Sequence, residues 1–363
     1  VKIQQKDISQ KTNAATHERY MLRCIQLAKN GLGTTAPNPT VGCVIVHNNK
    51  IIGEGFTSPY GGPHAEVNAI EAVLDKSLLR EATLYVTLEP CSHFGKTPPC
   101  TDLIIKHTIP KVVVGVLDPH DKVSGKGIER LQDAGCEVLV GVLEEKCREH
   151  HKRFLTYHEK ARPYVILKWA QTLDGYIAPD KSVRNTAPEP FWITNTHSQQ
   201  RVHQWRSEEQ AILVGTQTVL EDNPKLDVRH WKGQSPLRVI LDRNLKIGKD
   251  FHVLDGNIPT LFLTSVSDRS RYEEGMTYEV LNFSADLVEK ICGILHKHQV
   301  LSILIEGGAQ TLQAFIDSGL WDEARVFTGN RTFKNGIVAP KFSGSLLQTA
   351  SVGTDTLHIY QND

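Results

Sequence analysis

Hydrophobic positions fall into two alternating helix–strand series with a charged stretch between them. From Thr16, the residues Met21, Cys24, Ile25 and Ala28 recur at i, i+3, i+4 and i+7, one face of a helix that Gly31 ends. Val41–Val46 predicts a strand, Asn48-Asn49 its turn and Ile51–Phe56 the partner strand. His64 opens a helix carrying Ala69, Ile70 and Val73. Thr83–Leu88 predicts a strand that ends on Glu89-Pro90-Cys91, and Cys100 begins a helix through Leu103 and Ile104. A strand at Lys111–Leu117, a helix near residues 127–134 and a strand at Cys136–Val142 complete an α/β unit.

The charged stretch Glu144–Lys160 contains His150, His151 and His158. A histidine-rich composition is weak evidence for metal, and the stretch predicts a solvated helix running into a linker. Beyond Arg162-Pro163 a second series starts, with strands at Tyr164–Ala170, Ala211–Gly215, Leu237–Asp242, Thr260–Leu263 and Leu301–Ile305. Leu173-Asp174-Gly175 reads as a turn and Thr196 as the cap of a helix toward Arg206; further helices fit residues 285–297 and 309–318. No internal repeat links the halves. The expected organisation is a first domain at 16–147, a linker at 148–162 and a second domain at 163–363.

A length of 363 residues favours two domains, and 40% apolar with 23% charged residues is enough for two cores. The formal net charge is zero, without the basic excess of a nucleic-acid binder, so no nucleic-acid partner is expected. No apolar run reaches the roughly 18–20 residues of a membrane span, and the first residues lack the apolar core of a signal peptide. The expectation is a cytoplasmic protein with no membrane partner. Seven cysteines at scattered spacing do not form a disulfide framework.

Two of those cysteines sit in a chemical setting. His64-Ala65-Glu66 is followed by Pro90-Cys91 and by Cys100. One imidazole and two thiolates fill three positions of a tetrahedral zinc site and leave the fourth for water. Glu66, two residues from His64, is placed to handle protons without binding metal. The set resembles the zinc-dependent nucleobase deaminases, written H-x-E…P-C-x-x-C, but here Ser92–Pro99 separates the cysteines. A purely structural zinc site would need a fourth protein ligand, and only His93 could close it. A deaminase of free cytidine or of tRNA bases is the competing enzymatic reading. The long cysteine spacing and neutral charge oppose it.

Around the cluster, Pro37-Asn38-Pro39 presents an amide able to pair with a heterocycle edge, although by spacing alone Asn38 is an ordinary turn asparagine. The cysteine loop brings His93 and Lys96, both able to meet a phosphate or sugar. In the second half, Glu306-Gly307-Gly308-Ala309 joins a strand to a helix, where adjacent glycines let a phosphate approach. A lone Gly-Gly is a weak signal, and there is no G-x-G-x-x-G fingerprint.

Thr34-Thr35-Ala36-Pro37-Asn38-Pro39-Thr40-Val41-Gly42, His64-Ala65-Glu66 and Pro90–Cys100 together resemble the bifunctional riboflavin biosynthesis deaminase/reductase family, over about residues 20–344. The resemblance implies a cytidine-deaminase-like three-layer α/β domain followed by a dihydrofolate-reductase-like α/β domain. The first would use Zn2+, held by His64, Cys91 and Cys100 with Glu66 catalytic, to deaminate diaminohydroxyphosphoribosylaminopyrimidine. The second would use NADPH to reduce the ribosyl chain of the product to ribityl. Matching by position implies that Ala170, Trp192, Thr218, Asp222, Gly307 and Gly308 bind NADPH. Lys168, Arg206, Leu226, Arg229 and Glu306, with Asn38 and His93 in the first half, would contact substrate. It also implies a homodimer or homotetramer. The chain departs from the family pattern at Asn223, where an aspartate is usual, at Pro190, where a serine is usual, and at His120-Asp121.

Overall fold

The computed structural model of the chain describes residues 2–92, 98–119, 125–183 and 187–363, with side chains from residue 14 on. The chain divides into two units, Val1–Lys160 and Ala161–Asp363.

The first unit is built on a sheet of five strands: β1 (Gly42–His47), β2 (Lys50–Phe56), β3 (Thr83–Leu88), β4 (Lys111–Val116) and β5 (Glu137–Val140), in the order β2-β1-β3-β4-β5. β1 runs antiparallel to β2 and β3, whereas β3, β4 and β5 are parallel. Cys43, Val44, Ile45, Leu84, Val86, Val112 and Val114 are fully buried, so both faces of the sheet are covered, as parallel strands require. α1 (Lys2–Ala28) and α5 (Glu144–Lys160) cover one face. His17 and Tyr20 of α1 meet Tyr85 there, and His151 of α5 meets Thr87. α2 (Ala65–Ala72), α3 (Cys100–Lys106) and α4 (Lys126–Asp133) lie on the other face, completing the three layers.

α2 reaches the sheet more closely than side chains allow. A Cβ on Gly55 would stand 2.4 Å from the Ala65 carbonyl oxygen, and one on Gly53 would stand 2.3 Å from that of Ala69. Glycine at both positions of β2 sets how near this helix comes.

Residues 144–160 are helical as expected, but not solvated. Cys147, His151, Phe154 and Leu155 are buried, and the unit boundary falls after Lys160. Residues 148–160, read from the sequence as linker, therefore belong to the first unit.

The second unit carries a nine-stranded sheet in the order β11-β10-β9-β8-β12-β6-β13-β16-β15. Its strands are β6 (Tyr164–Gln171), β8 (Ala211–Gly215), β9 (Leu237–Leu241), β10 (Thr260–Thr264), β11 (Thr277–Val280), β12 (Ser302–Gly307), β13 (Glu323–Thr328), β15 (Ser345–Val352) and β16 (Asp355–Gln361). A separate ribbon pairs β7 (Tyr176–Pro179) with β14 (Gly336–Val338). β11 through β13 in spatial order are parallel, and β16 and β15 add an antiparallel edge. Val165, Leu167, Leu213, Ile303, Ile305 and Phe315 anchor the core on one face; Ile212, Val214, Ile240 and Phe262 anchor that on the other. The helices are α6 (Thr196–Glu208), α7 (Thr216–Asp222), α8 (Leu287–Lys297) and α9 (Ala309–Ser318). The cap of α6 is Asn195 rather than Thr196: its side-chain oxygen accepts from the His197 and Ser198 N–H groups. Among the described residues, no helix is long and apolar enough to cross a membrane.

Candidate metal centre and ligand cavity

His64, Cys91 and Cys100 come from three elements of the first unit. His64 is the N-cap of α2, Cys91 follows β3, and Cys100 is the first residue of α3. The Thr101 N–H and hydroxyl both donate to the Cys91 carbonyl at 3.2 Å, which closes the two cysteines onto each other. His64 Nδ1 lies 3.4 Å from Cys100 Sγ and 3.6 Å from Cys91 Sγ, and the three ligand atoms fall within 4.8 Å of one another. Tetrahedral zinc with bonds of about 2.0–2.1 Å to nitrogen and about 2.3 Å to sulfur sets N···S edges of roughly 3.5 Å. The donor set fits that ion in chemistry and in spacing.

The thiols already divide their charge. A hydrogen bond from the Cys100 thiol, with His64 adding to it against the opposing burial, brings Cys91 down to about 4. Cys100 is pushed up, first by Cys91 and then by burial. Its N–H also donates to Cys91 Sγ at 3.3 Å. Glu66, in the first turn of α2, is 4% exposed. Burial raises its carboxyl to about 7, with Cys91 pushing in the same direction and His64 opposing. A dication on the three donors favours both thiolates and the carboxylate.

Asn38 stands on a tight turn held at both ends by Thr35: the Asn38 N–H donates to the Thr35 carbonyl at 2.9 Å, and the Thr35 hydroxyl donates to the Asn38 carbonyl at 3.0 Å. The Tyr60 N–H donates to the Thr34 carbonyl at 3.0 Å and ties this turn to the segment leading into His64. Among the described residues no hydrogen bond engages the Asn38 amide. His93, Lys96, His120 and Asp121 lie outside the described residues.

The second unit holds a cavity of ≈1220 Å³ beyond the carboxyl ends of β6, β8, β9 and β12, the place where open parallel sheets bind ligands. Ala170, Trp192, Thr218, Asp222, Gly307 and Gly308 line it, and so do Lys168, Arg206, Leu226, Arg229 and Glu306. Gly307 has φ 125°, a conformation that disfavours any side chain. A Cβ on Gly308 would press to 3.2 Å from Thr218 Oγ1. Gly308 caps α9, so this cradle opens onto a helix N-terminus suited to a phosphate. The cradle and the cavity volume together suit a dinucleotide.

A buried charge cluster forms one wall. Arg206 donates from Nε and Nη2 to the two Glu306 oxygens at 2.8 Å each, and from Nη1 to the Asp227 carbonyl at 3.2 Å. Lys168 Nζ stands 3.6 Å from Glu306 Oε2. Burial alone would raise the Glu306 carboxyl, but Arg206 and Lys168 outweigh it and hold the group at about 2. Burial depresses the Lys168 ammonium despite Glu306. Leu226 reaches the wall, but its side chain packs among Ile212, Val214 and Ile240, so it shapes the cavity and offers no polar contact.

Two departures from the family pattern have local explanations or places. Asn223 ends α7 in the left-handed region at φ 40°, which asparagine tolerates, and its Oδ1 accepts from the His252 N–H at 2.8 Å. Pro190 lines the cavity beside Phe191 and Trp192. Sequence reasoning missed Phe191, which packs edge-on against Phe333 with ring centres 5.2 Å apart. It also missed Arg243 and Lys246 on the cavity wall. Arg243 follows the end of β9, a position that the open-sheet rule would have marked.

Two family models match the chain: the cytidine and deoxycytidylate deaminase zinc-binding region at residues 14–116, and the RibD C-terminal domain at residues 163–333. The riboflavin biosynthesis protein RibD of Aquifex aeolicus is 41% identical over 93% of this chain and 90% of its own length. The chain belongs to the RibD family. The Escherichia coli RibD protein is 34% identical over 90% of this chain and 89% of its own. The structure also matches a Thermotoga maritima diaminohydroxyphosphoribosylaminopyrimidine deaminase/5-amino-6-(5-phosphoribosylamino)uracil reductase, with TM-score 0.88 and 38% identity over 97% of this chain and all of that one. Acinetobacter baumannii RibD matches with TM-score 0.87 and 32% identity, over 96% and 99% of the two chains. As a RibD protein, this chain is a bifunctional enzyme of riboflavin biosynthesis, a pyrimidine deaminase joined to a reductase, with Zn2+ and NADPH as the cofactors of the two activities.

Proposed function

We propose that the first unit hydrolytically deaminates diaminohydroxyphosphoribosylaminopyrimidine and that the second reduces the ribosyl chain of the resulting 5-amino-6-(5-phosphoribosylamino)uracil to ribityl. The observation that carries the reading is the pairing, in one chain, of a His64–Cys91–Cys100 donor cluster beside buried Glu66 with a cavity walled by Lys168, Glu306 and Arg206.

His64, Cys91 and Cys100 would hold the metal. Zinc bound there would supply a Lewis acid that makes water an effective nucleophile near neutral pH. Glu66 takes a proton from the attacking water and passes it to the ring nitrogen; it then takes the second proton, from the hydroxyl newly bonded to the ring carbon, and gives it to the departing amine, so that ammonia leaves and the carbonyl forms. The burial of Glu66 keeps bulk water from competing for either proton. Asn38 pairs with the heterocycle edge, and His93 meets the phosphoribosyl group.

In the second unit Gly307 and Gly308 receive the cofactor's phosphates, while Ala170, Trp192, Thr218 and Asp222 line the rest of its path. NADPH held there would supply the hydride for C1 of the opened ribose or its imine. The heteroatom on that carbon must then gain a proton, and Lys168 is the buried cation placed to deliver it. Glu306 holds both Lys168 and Arg206. Arg206 and Arg229 face the anionic end of the substrate, where a guanidinium donates two bonds at once. Two of the five Arg206 N–H donors remain after Glu306 and Asp227 are served. The active form is a homodimer or homotetramer in the cytoplasm.

Mass spectrometry of products from zinc-loaded protein, the diaminopyrimidine phosphate and NADPH tests the reading. Exchange of amine for oxygen plus addition of two hydrogens is expected. An unchanged substrate in zinc-replete protein would overturn it.

A further inference from the structure

His203 is 3% exposed, in the second half of α6, and neither reaction described above gives it a part. Burial brings its imidazole down to about 4, with Arg206, Arg229 and His230 pushing the same way and Asp227 opposing. The ring is therefore uncharged at physiological pH, and a neutral imidazole offers one acceptor nitrogen. That acceptor is in use. The Arg229 backbone N–H donates to His203 Nδ1 at 3.3 Å, which leaves the ring proton on Nε2. Edge-on packing against His230, with ring centres 4.8 Å apart, orients the imidazole.

Arg229 lies beyond α7, where residues 223–229 form neither helix nor strand. Such backbone stands where its neighbours hold it, and α6 holds this segment at three points. Arg206, one turn beyond His203, donates from Nη1 to the Asp227 carbonyl at 3.2 Å. His203 takes the Arg229 N–H. Further along, a Cβ on Gly233 would stand 2.5 Å from Ser207 Cβ, so the chain there lies directly against the helix. The Val228 N–H donates to Ser235 Oγ at 3.1 Å and closes the segment on itself. The Arg229 guanidinium, paired with the Asp227 carboxylate, lines the cavity alongside Arg206, Lys168 and Glu306. One helix thus supplies one cation of the cavity wall, Arg206, and through His203 grips the backbone of another.

We propose that His203 is a positioning residue of the reductase: as acceptor for the Arg229 N–H it sets where the Arg229 guanidinium stands beside Arg206, and thereby the affinity for the substrate's phosphate. The proposal rests on the reductase reading of the second unit. Arg206 is fixed by Glu306 and the Asp227 carbonyl without help from His203. Among the described residues, no hydrogen bond joins His203 to the Gly307-Gly308 cradle. Loss of the acceptor therefore weakens substrate binding and leaves cofactor binding and hydride transfer in place.

Asparagine can set its amide oxygen at the branch that Nδ1 occupies, whereas leucine puts a methyl group there and fills more of the ring's space. The test uses the full chain: wild type, His203→Leu, His203→Asn, Arg229→Ala and the His203→Leu/Arg229→Ala double variant. KM and kcat for the deaminated substrate and KM for NADPH are measured for each. In His203→Leu the substrate KM should rise about tenfold, with kcat and the NADPH KM as in wild type. His203→Asn should stay near wild type. The double variant should be no worse than Arg229→Ala, because both changes act through one contact. A wild-type substrate KM in His203→Leu overturns the proposal. So does a lower KM in His203→Leu than in His203→Asn, which would make the ring a space-filler, or effects that multiply in the double variant. Should His203→Leu not fold, His203→Ala, which also lacks an acceptor, takes its place in every comparison with the same outcomes. Absence of NADPH oxidation by wild type would instead remove the reductase reading itself.

Discussion

Arg206 and Glu306 meet in two parallel hydrogen bonds of 2.8 Å, from α6 to the end of β12. Lys168 approaches the same carboxylate, so one buried anion serves two cations. The cluster carries a surplus positive charge on the wall of the cavity, suited to an anionic substrate.

That imbalance predicts unequal effects of removing its members. Glu306→Gln leaves two buried cations without an anion and should cost about 3–5 kcal/mol, whereas Arg206→Leu keeps the Lys168–Glu306 pair and should cost less. Both should abolish reduction and spare deamination. Urea unfolding followed through the second unit, with both activities assayed, checks the order.

Glu66→Ala should lower deamination by at least about 100-fold, the ordinary share of general acid–base catalysis, with zinc retained and reduction intact. Metal analysis beside the two assays reads all three. Substantial deamination by the variant would remove Glu66 from the proton path.

Chelation of zinc should stop deamination and leave NADPH oxidation on the deaminated substrate unaffected. Restoring Zn2+ should bring the first activity back. Cys100→Ser should reproduce the chelated state without recovery at the same zinc concentration.

A pH dependence of stability follows from α5. Burial brings His150 down to about 4, against the raising effect of its bond to the Thr40 carbonyl, with Arg153 and Lys29 adding to the depression. Burial also places His151 well below its ordinary value, with His150 in the same direction. Folding thus favours the neutral rings. Their contribution is complete above pH 6.5, where the unfolded chain is also neutral, and it shrinks as pH falls toward 4. Thermal unfolding of the first unit between pH 7.5 and pH 4.5 should show this loss, and His150→Gln should flatten it.

Asn223→Asp, which restores the residue usual in the family, should leave the reductase rate within about twofold of wild type, because the position is occupied by a helix-ending turn. Asn223→Ala should cost roughly 1 kcal/mol, through the left-handed backbone and the lost bond to His252. Reductase assays and denaturant midpoints distinguish the two effects.

The first unit was legible because its signals are local: apolar runs at Val41–Val46, Thr83–Leu88 and Lys111–Leu117 end next to the residues that bear the chemistry. The metal donors could be recognised by type and spacing, since few other arrangements satisfy an imidazole and two thiols. The sequence did not reveal β13 through β16. β15 is exposed along most of its length and lacks the alternation of a half-buried strand. The linker expectation failed over residues 148–160 for a related reason. Charged residues of α5 face solvent while His151, Phe154 and Leu155 face the sheet, and composition averages the two sides. Phe191 and Lys246 join the cavity only through the sheet order that brings distant strand ends together.

The close seating of α2 on Gly53 and Gly55 places two intolerant positions of the deaminase half on a strand that bears none of its reactive groups. His64 caps that helix and Glu66 lies in its first turn, so the imidazole and the buried carboxylate move as one rigid body. A methyl group on β2 would displace both together relative to the two cysteines. The penalty would register as slow turnover in an enzyme whose site is chemically complete, making β2 the hidden ruler of the reaction distance.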